Sequence, residues 1–242
     1  MVREDWARDL KMGEHSRAIQ EWVGDGKHLV AVSRFPTKAR QRTADASAMQ
    51  YVSPSATRVG PVEIRDLHRE VGEIVMAPVV FIHPMPGEDE EAIRELVTEH
   101  KITRAFVPIW APSDRIRLWL DSQGAQNLAG TASPPPPDGV LRQAALAIVR
   151  EEYNGLGSGN GKDTAVQAIR ALAREGYPLD PQAWARAVLS VGASIRSAET
   201  VMRFVTEIAQ GRQHRTRPRL RDDIARVWRE MAEEAGTQNP EN

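Results

Sequence analysis

Hydrophobic positions change their period near the middle of this chain. Before residue 130, compact apolar runs alternate with stretches of helical spacing. After residue 139 only helical spacing recurs. Leu29-Val30-Ala31-Val32, Val79-Val80-Phe81-Ile82 and Ala105-Phe106-Val107 through Ile109 are short and continuously apolar. That is the pattern of strands buried on both faces. Residues 3–23 read as an opening helix, with Trp6, Leu10, Ile19, Trp22 and Val23 as its stripe and Gly24-Asp25-Gly26 as its stop. Glu88–His100 carries Ile93, Leu96 and Val97 at helical spacing, with acids in its first turn, where the helix dipole favours them. Ser113–Ser122 reads as a helix capped by Ser113. Residues 37–49 and 62–71 carry weaker helical patterns, and Tyr51-Val52 a short strand.

Strands alternating with helices imply crossover connections and a mainly parallel sheet. The second half predicts five helices and no strand: Val140–Glu152, Thr164–Glu175, Gln182–Val191, Ser197–Gln210 and Leu220–Glu234. The expected class is α/β, a small three-layer domain with a mainly parallel sheet over residues 1–130, including its leading helix. An all-α helical bundle domain over 140–235 follows. Between them, Pro134-Pro135-Pro136-Pro137 predicts an extended spacer inside a Pro-rich linker, 131–139, because each proline fixes φ and lacks a donor. Residues 236–242 predict a disordered tail.

With 41% apolar and 27% charged residues, the composition suits folded domains rather than a disordered chain. The absence of cysteine removes disulfides, thiolate metal sites and a cysteine nucleophile. The longest apolar stretch, Ile74–Ile82, is nine residues and contains Pro78, too short to cross a bilayer. The leading MVREDWARDL has no apolar signal core, so a cytoplasmic location and no membrane partner are expected.

The formal charge is −1, but its basic part is unusual in kind, with 27 arginines to 5 lysines. Over residues 203–229 eight arginines face only Glu207, Asp222 and Asp223, a local balance of +5. Arg212, Arg215, Arg217, Arg219 and Arg221 surround His214 and Pro218 there, and the proline excludes one continuous helix. An exposed arginine arm binds DNA or RNA phosphates through charge and counterion release. GC-rich codon usage, or pairing with the chain's own acids, accounts for the same residues without a ligand. The pair 182–191 and 197–210 resembles a helix-turn-helix, although the break read between them is longer than that motif's turn.

A second basic stretch follows the first strand. Ser33, Arg34, Lys38, Arg40 and Arg42 lie where a parallel sheet binds ligands, beyond a strand's carboxyl end, and suit an anion-binding site. A solvated helix face accounts for them more simply, without a ligand. Gly155–Thr164 is glycine-rich, but Leu156 and Asp163 stand where a phosphate-binding P-loop needs glycine and serine or threonine. It reads as a helix–helix loop, with Asp163 capping the next helix.

Catalytic patterns are sparse. The six histidines show no metal-binding spacing, no nucleophile elbow occurs, and no metal or cofactor is implied. His83, at a strand end, is the one catalytic candidate, and a structural role suits it too. The reading is a nucleic-acid-associated binding or regulatory protein using its arginine-rich segment, with the α/β domain sensing an anionic ligand or a protein partner. The alternatives are an enzyme acting on a nucleotide or phosphorylated substrate in the α/β cleft, with His83, Arg34 and Lys38 as first suspects, and a scaffold subunit of a larger assembly.

Overall fold

A computed structural model of the chain describes residues 2–5, 12–24, 28–33, 58–67, 78–82, 84, 87–99, 101–109, 115–128 and 134–237. Helices and a parallel sheet make the protein mixed α/β. Contacts divide it into two compact units, Met1–Pro134 and Pro135–Asn242.

In the first unit the strands are β1 (Val2–Asp5), β2 (His28–Val32), β3 (Arg58–Glu63), β4 (Val79–Ile82), β5 (Ala105–Ile109) and β6 (Gln126–Asn127). They form one sheet in the order β3-β2-β4-β5-β1-β6, and every pairing is parallel. Every residue of β2, β4 and β5 is buried, which in a strand requires cover on both faces. Pro61 is tolerated because β3 is an edge strand, and the register slips beside it between Leu29 and Val30. Pro108 lies past the last β4 pairing, Val80 with Phe106.

Among the described residues the helices of this unit are α1 (Met12–Val23), α2 (Glu88–Thr98) and α3 (Ile116–Ser122). Ile19 and Val23 of α1 pack with Val30, Val32, Val80, Ile82 and Phe106, and Trp22 meets the Phe106 ring at 5.4 Å.

Three expectations are corrected here. The leading element is a strand, and of the helix expected over 3–23 the described residues bear out Met12–Val23. Val2–Asp5 lies between β5 and β6, and hydrogen-bonding to both neighbours overrides a polar sequence of weak strand preference. Residues 58–63 are a strand followed by the 3₁₀ turn Ile64–Asp66, where a helix over 62–71 was expected, because β2 supplies a pairing edge. The helix expected from Ser113 begins at Ile116, after Arg115.

The second unit holds α4 (Gly139–Val149), α5 (Gly159–Arg174), α6 (Pro181–Ser190), α7 (Ile195–Ala209) and α8 (Ile224–Thr237). Their starts obey local chemistry. Asp138 accepts from the Leu141 N–H at 2.9 Å, Asp180 from Gln182 N–H at 2.9 Å, and Ser194 from Ser197 N–H at 3.2 Å. Pro181 occupies the first turn of α6, where its missing donor is harmless. Trp184, Val188, Val201, Phe204 and Val205 are buried in its core.

Helix α5 begins at Gly159, four residues ahead of the expected cap, so Asp163 lies within the helix and is buried. Gly161 explains the early start. A Cβ there would collide with the Gly155 carbonyl and lie 3.2 Å from the Glu151 carbonyl, so only glycine lets the loop close onto the helix. The tail expected from residue 236 also changes, since α8 continues through Gly236 to Thr237. Buried Trp228 fixes the helix, and Ala232 fits closely over Gly139, where an added Cβ would come within 2.8 Å.

Candidate functional site

Helices α6 and α7 are joined by the four residues Val191–Ser194. Gly192 takes a left-handed φ of 99°, which lets the chain reverse, and Ser194 caps the next helix. This length and glycine match the short turn of a helix-turn-helix, and the longer break expected there is corrected. The cause lies at the start of α7, which begins two residues earlier because Ser194 caps it and buried Ile195 joins its apolar face, while α6 ends one residue earlier, at Ser190. Along α7, Arg196 and Arg203 are exposed, and Thr200 and Thr206 bond back to the carbonyls of Arg196 and Met202. Arg196 makes no ion pair among the described residues, while Arg203 lies 4.8 Å over the Phe204 ring and 3.9 Å from Glu207.

Gly211, at φ 82°, ends α7, and the segment 211–222 then crosses α5 as an irregular strap. Gln167 of α5 holds it. Its Nε2 donates to the Arg217 carbonyl at 2.5 Å, and its Oε1 accepts from the N–H groups of Arg219 and Leu220 at 2.9 and 3.1 Å. Lys162 Nζ adds a long bond to the Arg215 carbonyl at 3.4 Å. The five arginines of this strap divide into two sets. Arg212 pairs with Glu207 at 2.6 Å, Arg219 with Glu151 at 3.2 Å, and Arg221 with Asp223 through both carboxylate oxygens. Arg215 and Arg217 are exposed, and their guanidinium groups make no ion pair among the described residues.

His214 faces inward, its side chain only 8% exposed, edge-on to Phe204 with centroids 5.4 Å apart. Its Nε2 is 3.1 Å from Glu207 Oε2 but lies off the hydrogen-bonding direction. Burial lowers its pKa, and Lys162, Arg170 and Arg212 act the same way against the opposing pull of Glu207. A neutral imidazole therefore belongs to the folded strap. Asp223 is held below the usual carboxylate range, first by its hydrogen bond from Arg221 and then by that from Arg226.

At the carboxyl edge of the sheet, Ser33 follows β2 and donates its hydroxyl to Asp89 Oδ2 at 2.5 Å. Arg65, after β3, reaches Asp89 Oδ1 at 3.3 Å. Asp89 sits in the first turn of α2 and is fully buried, so the sheet edge collects a serine, an arginine and a carboxylate from three elements. The other members of the expected anion site, Arg34, Lys38, Arg40 and Arg42, lie outside the described residues, as does His83. Among the described residues no cluster of histidine and acidic side chains has a metal-binding arrangement, and no helix is long and apolar enough to cross a membrane. Sequence reading missed Arg65, Asp89 and Gln167, because only the fold brings them to their partners.

No protein-family model, curated protein or solved structure matches this chain.

Proposed function

We propose that the chain is a cytoplasmic, nucleic-acid-associated regulator of two domains, whose helical domain, a bundle, binds duplex DNA through α6, α7 and the arginine strap. The observation that supports this most is the four-residue glycine turn between α6 and α7. In a helix-turn-helix the second helix enters the major groove, and its first residues meet base edges. Arg196 stands in that first turn of α7, exposed and without an ion pair among the described residues. Arg215 and Arg217 then serve as phosphate contacts, which position the protein and supply affinity without reading sequence. Arg212, Arg219 and Arg221 shape the strap through their own carboxylates and contribute less to the grip. The α/β domain, a small three-layer fold around its parallel sheet, is the sensing part, open to an anionic ligand or a protein partner at the carboxyl edge of that sheet.

Anisotropy titration of a labelled duplex across a salt series tests the reading. The expected result is an affinity that falls linearly on logarithmic axes as salt rises, and a tenfold or greater loss in Arg196→Ala. Absence of binding at low salt, or binding indifferent to salt, removes it. Stronger binding to single-stranded RNA would replace the groove-reading role of α7 with a purely electrostatic one.

A further inference from the structure

Beneath the strap lies a half-open cavity of about 220 Å³. Its walls come from α5, through Arg170 and Arg174, from the strap, through Thr216 and Leu220, and from Arg221 and Asp222 at the approach to α8. It is smaller than the roughly 300–1,000 Å³ common for drug-sized ligands, so it suits one compact charged group with little attached.

Its electrostatics are one-sided. Asp223 already engages Arg221, and Asp222, the one carboxylate among the lining residues, is exposed. Arg170 and Arg174 make no ion pair among the described residues. They stand four residues apart on one helical face, an arrangement of like charges that destabilises an isolated helix. An anion in the cavity would offset these two like charges.

We propose that this cavity binds a phosphate group, in the form of a small phosphomonoester that acts as an effector. Two arginines and a threonine among the lining residues supply donors that suit an oxyanion offering several acceptor oxygens. A phosphomonoester carries about −1.5 to −2 charges at neutral pH, whereas each backbone phosphodiester of a nucleic acid carries one. Two arginines without an ion pair among the described residues fit the former better. The bonds from Gln167 hold the strap in place, so this wall is set before the ligand arrives. The inference stands apart from the DNA-binding reading, because it uses the inner face of the strap and not Arg215 or Arg217.

Isothermal titration of the full chain with inorganic phosphate and with ribose 5-phosphate, at ionic strength matched with sodium chloride, is the direct test. Both ligands should bind, and the melting temperature should rise with either. Arg174→Gln, at an exposed position that leaves folding intact, should weaken binding at least tenfold, as should Arg170→Gln. Arg142→Gln, an exposed arginine on α4 outside the cavity, should bind as the unaltered chain does. No heat beyond the chloride control, or equal binding by Arg174→Gln, overturns the proposal. Duplex DNA that displaces phosphate from the unaltered chain, while phosphomonoesters fail to bind, identifies the group as backbone phosphate and overturns the effector role. DNA affinity that survives Arg174→Gln while phosphate binding is lost separates this site from the DNA interface. Failure of DNA binding alone would leave the cavity's ligand unaffected.

Discussion

At the carboxyl edge of the sheet the Asp89 carboxylate is fully buried and is approached by Ser33 and Arg65 from two other elements. Along the strap the proportions are reversed. Glu207, Glu151 and Asp223 each hold an arginine, and Arg215 and Arg217 remain exposed with no ion pair among the described residues. A buried charge is tolerated only with partners, so removing any member of the first cluster should damage the fold. Exposed cations contribute about 0–1 kcal/mol apiece to stability, and what they offer is potential for an external anion. The sheet edge thus spends its charges on structure, while the strap keeps some of them outward.

The largest effect should come from the sheet edge. Asp89→Ala removes a buried acceptor, leaves the Ser33 hydroxyl and Arg65 without it, and opens a small void under α2. A loss of about 3 kcal/mol in urea denaturation is expected, the scale of breaking a buried charged pair. A loss below about 1 kcal/mol would show that the cluster is as dispensable as a surface pair, and the contrast between the two regions would collapse.

Next in size is the anchor of the strap. Gln167→Ala deletes three side-chain bonds to the Arg217, Arg219 and Leu220 backbone. At about 0.5–1.5 kcal/mol for each bond, discounted for partial exposure, a total near 2 kcal/mol is expected. The sharper readout is hydrogen exchange, in which the Arg219 and Leu220 amides should lose protection while the core of α5 keeps it. Unchanged protection of those two amides would mean the strap is held by something other than Gln167.

These two residues also mark how far the sequence was legible. β2, β4 and β5 could be read because four or five consecutive apolar residues have few alternatives to a doubly covered strand. The helices of the second unit were visible through their period, while their starts were displaced. α5 and α7 begin earlier than periodicity suggests, since the decisive features are backbone closeness at Gly161 and the capping hydroxyl of Ser194. β1 was hidden because Val2-Arg3-Glu4-Asp5 becomes a strand only through its neighbours. The arginines of the strap were plain as composition, but which of them are paired depends on Glu207 and Glu151, the latter far away in the sequence. The acidic start of α2 was read as a dipole effect, and that account misses the burial of Asp89.

A smaller effect should follow from pH. Burial holds the His214 pKa below its ordinary 6.5, so the unfolded chain takes up a proton that the folded strap resists. The stabilisation is fully present above pH 6.5 and is lost as pH falls through the lowered folded value. Thermal unfolding between pH 7 and pH 5 should therefore show a steeper loss in the unaltered protein than in His214→Gln, which cannot titrate. Parallel curves would mean that this imidazole is open to water in solution.

The smallest effect on folding belongs to Arg215 and Arg217, and for that reason their replacement separates the two regions best. Both guanidinium groups are exposed and without an ion pair among the described residues, so Arg215→Ala with Arg217→Ala should change unfolding free energy by less than about 0.5 kcal/mol. Duplex binding should respond in the opposite proportion. Loss of two phosphate contacts lowers the logarithmic salt slope by about 1.8, since each neutralised phosphate contributes about 0.9. The affinity loss should be nearly equal for unrelated duplex sequences, because phosphate contacts carry no base information. Loss at one sequence alone would move these arginines from backbone contact to base readout. A stability loss comparable to that of Asp89→Ala would show that the strap, too, uses its charges to hold the fold.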